Sequence, residues 1–215
     1  MFPNLSEDLR RYGGASARVK ALLFAPRVWA IAAYRFSRWV HCAPIPFLLR
    51  FPLKIVAALI AVGVDVTSSV ELPPQAPIGP GLFIPHTGYV VIGSTSEIGH
   101  HCTLTQGVTV GHRAGGREQS FAGPVIGNRV YLGPGAVVLG PIKVGDDVLI
   151  GANAVVTRSV PSRAVVAGNP ARVISMKGSF ALISYDGMAS DPERAASLSE
   201  LDTEAVKLIS YQAKS

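Results

Sequence analysis

Five histidines are the side chains in this sequence best suited to move a proton at neutral pH. His86 stands in Pro85-His86-Thr87-Gly88, a break in an otherwise regular pattern. An imidazole so placed can take the proton of a hydroxyl as its oxygen attacks a carbonyl, which is general base catalysis. Taken by itself, the residue reads first as a surface histidine. His112 follows Gly111 at the mouth of a Gly-rich polar stretch, His100 and His101 follow Gly99 and read as exposed turn residues, and His41 reads as a helix-end residue. The only thiols, Cys42 and Cys102, form no CxxC or Cys/His spacing, so neither a metal site nor a disulfide framework is indicated.

The element that must position these groups is a repeat. From Ile126 to Val156 an aliphatic residue recurs every six positions, at Ile126, Leu132, Val138, Val144, Ile150 and Val156, and Gly127, Gly133, Gly145 and Gly151 follow four of them. A strict period of six is the signature of a parallel β-helix, in which three hexads close one coil of about eighteen residues. The aliphatic residues point inward and stack on their equivalents, and glycine is expected where a corner needs a permissive backbone. Upstream, Val66, Leu72, Ile78 and Ile84 keep the period, two residues are inserted, and Ile92, Ile98, Leu104 and Val110 resume it. The step from Val110 to Ile126 exceeds one hexad, which predicts a loop over residues 112–124 leaving the prism.

Nearly half of the 215 residues are hydrophobic, enough for a sizeable core, whereas charged residues are sparse at 16%, which predicts surface covered by partner copies. The net charge of +6 is spread without a Lys/Arg run or an aromatic-interleaved stripe, so nucleic acid is not expected as a partner. The start, MFPNLSEDLRR, lacks the apolar segment of a secretory signal, and the expected compartment is the cytoplasm.

Along the chain, residues 1–63 predict an α-helical N-terminal region. A short helix capped by Ser6 ends at Gly13-Gly14, and a second helical pattern covers 16–41 with Trp29, Ala32, Ala33, Phe36 and Val40 on one face. It reads as packed on the first coil or on a neighbouring subunit, with an interfacial helix as the alternative. The apolar stretch Phe47–Val66 is read as a capping helix from about Leu53 to Val62. Pro52 disfavours its start, and the uninterrupted part is too short to span a bilayer but suited to peripheral membrane contact. Residues 64–174 form the β-helix, and the tail 175–215 contains a helix starting at Asp191-Pro192.

The segment ELPPQAPIGPGLFIPHTGYVVIG (71–93), followed by QGVTVG, a Gly-rich loop and GNPARVI, closely resembles the serine acetyltransferase group of hexapeptide-repeat acyltransferases. The short members of polysaccharide clusters, of the colanic acid acetyltransferase type, resemble it most. The likeness covers about residues 64–174, and NLSEDLRRYG with AYRFSRWV extends it to the N-terminal helices. It implies a left-handed prism, against the usual hand of parallel crossovers, assembled as a homotrimer or a dimer of trimers. It also implies acetyl-CoA as donor, His86 as general base, and a carboxylate fifteen residues earlier, here Glu71, that orients the imidazole as a triad carboxylate does. By the same resemblance the backbone near Gly111 and His112 meets the oxyanion. Coenzyme A runs along Gly133-Pro134 and Gly151-Ala152, one coil apart, and Thr157, Arg158 and Arg172 lie near its phosphates.

Two departures bear on the acceptor. The resembling serine enzymes carry an Asp just before the catalytic His and an Arg-His pair at the end of the loop; here Pro85 and Ala122-Gly123 stand in those places. The terminal isoleucine that docks their sulfhydrylase partner is missing too, since this chain ends Gln212-Ala213-Lys214-Ser215. The expected function is therefore acetyl-CoA-dependent O-acetylation of a saccharide or polysaccharide precursor. L-Serine is the alternative acceptor, and a non-catalytic β-helix scaffold the alternative of another class.

Overall fold

The computed structural model describes residues 2–113 and 121–199. Short strands stack into a three-sided prism. The first face runs β1 (Val70–Glu71), β2 (Val90–Ile92), β5 (Thr109–Gly111), β8 (Val137–Leu139) and β11 (Val155–Val156). The second holds β3 (Glu97–Ile98), β6 (Val125–Ile126) and β9 (Lys143–Val144), extended by bridges at Ile78 and Val160. The third runs β4 (Thr103–Leu104), β7 (Tyr131–Leu132), β10 (Leu149–Ile150), β12 (Val165–Ala167) and β13 (Arg172–Ser175). All ladders are parallel except β12 with β13.

The aliphatic column read from Ile78 to Val156 is buried throughout. A second inward column lies two residues before it in each hexad: Cys102, Val108, Val130, Ala136, Ile142, Val148 and Ala154. Val66 departs from the expected register. It is 80% exposed on the last turns of a helix, and Val70, paired with Val90, is the first inward residue of the prism. The repeat glycines also serve otherwise than expected. Left-handed backbone falls on Arg129, Gly135, Asp147 and Asn153, not on Gly127, Gly133, Gly145 or Gly151. A Cβ at Gly145 would approach Ser162 Oγ to 2.4 Å, and one at Gly133 would come within 2.8 Å of the Ala152 nitrogen. Glycine is required there because the next coil passes too close for a side chain.

Four helices precede the prism: α1 (Phe2–Arg10), α2 (Ala15–Phe24), α3 (Pro26–Cys42) and α4 (Phe47–Ser68). Ser6 lies inside α1 and does not cap it. The pattern over 16–41 is two helices, because Pro26 has no N–H to continue α2 and instead opens α3 at its first position. The buried side of α3 is Val28, Ile31, Tyr34 and Arg35, whereas Trp29 faces water. Helix α4 extends beyond both expected ends and crosses the 63/64 boundary, with Pro52 inside it near the exposed start, where a missing N–H forfeits one ladder bond.

These helices seal the open end of the prism. The first coil has no coil before it, so its backbone polar groups need other partners. Tyr34 Oη donates to Ala76 O (2.8 Å) and accepts from Ile78 N (3.0 Å), and Tyr12 Oη donates to Ile84 O (3.0 Å). Arg35 donates to Ile78 O and Gly79 O, Arg11 to Gly81 O, and Arg38 to Pro74 O. Asp8 accepts the Leu82 N–H (2.8 Å) and is bound by Arg35 through two hydrogen bonds, both side chains fully buried.

The tail folds back on the prism. Ser179 bonds Asp147 O and Arg129 O, Ile183 is buried, and a helix over 192–199 starts with Asp191 Oδ1 accepting from Glu193 N and Arg194 N. Beneath it, buried Arg129 donates to Asp147 (2.8 and 3.1 Å) and to Glu193. His101 is not an exposed turn residue: its ring stacks on Tyr185 at 3.9 Å between centroids. The centre of the 112–124 loop and the end of the tail helix lie outside the described residues.

Two measurements test this account. Asp8→Ala leaves a buried guanidinium unpaired and should lower unfolding stability in urea by about 3–5 kcal/mol. Burial, with His100 and Arg11 nearby, lowers the His101 pKa from 6.5 to about 4. The unfolded chain therefore binds the proton more readily, and folding stability should fall as pH drops from 6.5 towards 4. His101→Asn, which tolerates the left-handed backbone here, should flatten that acid slope in urea titrations.

Candidate active site

The corners sort the site residues. Between the third and first faces, four successive coils turn at Pro85-His86, Thr105-Gln106, Gly133-Pro134 and Gly151-Ala152. The stacking is explicit: Gly107 N donates to Gly88 O, Gly135 N to Gln106 O, and Asn153 N to Pro134 O. His86 therefore shares one corner with Gly133, Pro134, Gly151 and Ala152, four of the seven positions assigned to coenzyme A. At about 4.8 Å per coil, Gly133 lies about 10 Å and Gly151 about 14 Å along it.

His86 is exposed, and its imidazole makes no hydrogen bond to the described residues. Glu71 lies on β1 of the preceding coil, paired with Val91 and pointing outward. Both belong to the same part of the first face, but no hydrogen bond or ion pair joins them in the single chain. Tyr89 and Gln106, which pattern reading did not single out, flank the histidine. Tyr89 is exposed with φ +44°, and Gln106 Cβ approaches the open side of Gly88. An exposed aromatic in left-handed backbone was a signal only the coordinates carry.

Gly111 and His112 lie elsewhere. Gly111 ends β5 and His112 follows it, at the corner between the first and second faces, and so at the opposite end of the first face from His86. A Cβ at Gly111 would meet none of the described residues within 4 Å. The exposed His112 ring makes an edge contact with Phe121 at 5.9 Å. Thr157 and Arg158 follow β11 at this same corner, and Arg172 starts β13 at the far end of the prism, opposite Ala167. The structure thus divides the residues assigned to catalysis and donor binding between two corners of one chain.

The corner that carries Gly133 and Gly151 leaves backbone groups open. Backbone groups in a prism are nearly all taken by neighbouring coils, yet the Ala152 N–H and carbonyl have no partner among the described residues, and the residue is exposed. Gly133, one coil away, presents no side chain that would cover the groove. An amide-bearing chain laid along this corner finds a free donor and a free acceptor at Ala152.

Comparison with known proteins places the fold in a family. Residues 123–158 match the family described as bacterial transferase hexapeptide (six repeats). The serine acetyltransferase of Helicobacter pylori is 39% identical over 172 residues, covering 80% of this chain and 95% of that protein. The serine acetyltransferase of Synechococcus elongatus is 37% identical over 182 residues, covering 83% and 70%. The crystal structure of Brucella abortus serine acetyltransferase in complex with coenzyme A superposes with a TM-score of 0.70 at 29% identity, over 82% of this chain and 68% of that one. The prism is accordingly the left-handed parallel β-helix of these enzymes, and the expected special closeness to polysaccharide acetyltransferases finds no counterpart among these relatives. The chain belongs to the serine acetyltransferase family of hexapeptide-repeat transferases and is an O-acetyltransferase that uses acetyl-CoA.

Proposed function

We propose that this enzyme acetylates the hydroxyl of L-serine, at sites formed between copies of the chain in a homotrimer. The observation that carries the acceptor is the extent of the match. It covers 80% of this chain and spans nearly all of a compact serine acetyltransferase. This replaces the saccharide expected from the sequence as the leading acceptor. The observation that carries the assembly is the division of the site. His86 and Gly111 stand at opposite ends of one face, and a neighbouring copy brings the second corner against the first.

In this reading acetyl-CoA lies along the third–first corner, its pantetheine amides on Ala152 and the backbone beside Gly133 and Pro134. Thr157 and Arg158 reach towards its phosphates from the second corner of the neighbouring copy, and Arg172 from the far end of the prism. His86 takes the proton of the serine hydroxyl as the oxygen attacks the thioester carbonyl. Glu71 swings onto the imidazole, fixes its tautomer and stabilises the imidazolium. The His112 N–H, just past the strand that takes up the Gly111 amide, faces the oxygen that becomes negative. The C–S bond then breaks, and the imidazolium returns its proton to the thiolate. No covalent enzyme intermediate is formed.

A second acceptor reading keeps the saccharide hydroxyl, and Pro85 favours it. The serine enzymes that the sequence resembles have an Asp there to help hold the amino acid, and a proline can neither accept a hydrogen bond through its side chain nor carry charge.

Two measurements follow. His86→Ala should lower kcat by about 10²- to 10⁴-fold with coenzyme A binding retained; an unchanged kcat would remove the histidine from the chemistry. Coenzyme A release from acetyl-CoA should be stimulated by L-serine. Turnover with a panel of saccharides and none with serine would establish the second reading and make Pro85, Ala122 and Gly123 its determinants.

A further inference from the structure

Helix α4 packs only a narrow face. At about 100° per residue, its charged residues Arg50, Lys54 and Asp65 fall in one sector of about 60°, at the edge of the face that Ala57, Ala61 and Val64 turn to the protein, and Lys54 and Asp65 are exposed. Arg50 donates to the His41 carbonyl, Lys54 borders the crevice against Ser37 and Pro74, and Asp65 borders the one against Tyr34 and Leu72. Phe51, Leu48, Leu59, Val56 and Ile60 cover about half the circumference on the other side, and all are exposed, Leu48 at 85%. Over its best 18 residues the mean hydropathy is 2.1 and only 6% of the stretch is buried.

An apolar arc of this width exceeds the stripe of about 100° by which a surface helix packs on a neighbour. A bilayer can cover all of it at once. At 22 residues the helix is about 33 Å long, enough by length and composition to cross a membrane. Its attachments forbid that orientation. A short link, residues 43–46, leads back to α3, and Ser68 and Ser69 run directly into the first coil, bonding Gly88 N and Val90 N. Helix α3 in turn carries the buried Arg35–Asp8 pair and seals the prism, so both ends of α4 are held to one body on one side. A helix so held, with its charges on one side and its apolar arc on the other, suits the plane of a lipid interface. The net charge of +6 adds attraction to anionic headgroups.

We propose that α4 docks the protein on a bilayer surface, lying in the interfacial plane with the Leu48–Leu59–Val66 strip among the acyl chains. The proposal is independent of the acceptor. Its test is flotation of the full chain with vesicles of phosphatidylcholine and phosphatidylglycerol, beside the triple variant Leu48→Asp/Leu59→Asp/Val66→Asp. All three side chains already face water, so the variant should melt at the same temperature as the parent. The intact chain should float and the variant's partition coefficient should fall at least about tenfold. The proposal is overturned if the intact chain stays with the unbound fraction, or if the variant floats equally well. It is also overturned if the substitutions reduce particle mass in light scattering while flotation is absent, which would assign the arc to a second copy.

Discussion

Every part of this molecule depends on how closely its coils lie upon one another. Backbone bonds tie each coil to the next at about 4.8 Å, and the corners leave no room for a Cβ where Gly127, Gly133 and Gly145 stand. That closeness aligns the inward columns into a dry core and aligns the corners into straight rows. His86, Gly133 and Gly151 are therefore placed by the same bonds that hold the fold. A chemical site made this way needs no special supporting structure, because each corner is fixed by the ones on either side.

The same stacking creates the problem the helices solve. A pile of coils has a raw first layer, and burying it under another protein element would strand its amides and carbonyls. Here polar side chains from two helices are inserted where the next coil would be, with Tyr34 acting as donor and acceptor at once and Asp8–Arg35 serving both backbone and each other. At the other end the chain reverses as β13 and closes the last layer with an antiparallel strand. The buried Arg129–Asp147 pair plays a comparable part on the flank, joining two coils to the tail.

The sequence displayed the prism because its core is periodic: Ile92 through Val156 can be read in one pass. The second column was hidden because Cys102, Ala136 and Ala154 interrupt its Val and Ile members and break the aliphatic period. Val66 misled because a helix turn also places an aliphatic residue where the register wants one. The seal was illegible since Asp8, Arg35 and Leu82 meet across long stretches of chain with no pattern linking them. The two-corner division of the site was legible in principle. Counting hexads in threes from Ile84, through the insertion and the loop, assigns Gly133 to the corner of His86, and Gly111 and Thr157 to the other. The free amide of Ala152 required coordinates.

Because both ends of the prism are closed by dedicated devices, the number of coils between them is a free parameter. An eighteen-residue unit inserted between Leu104 and Ile150 would leave the helical seal and the β13 closure untouched, yet it would move Ala152 one coil further from His86. The stack is in that sense a ruler. It measures the distance from the reacting end of a bound donor to its anchoring end in steps of about 4.8 Å, and evolution can change the length of molecule it accepts without redesigning either the chemistry or the fold.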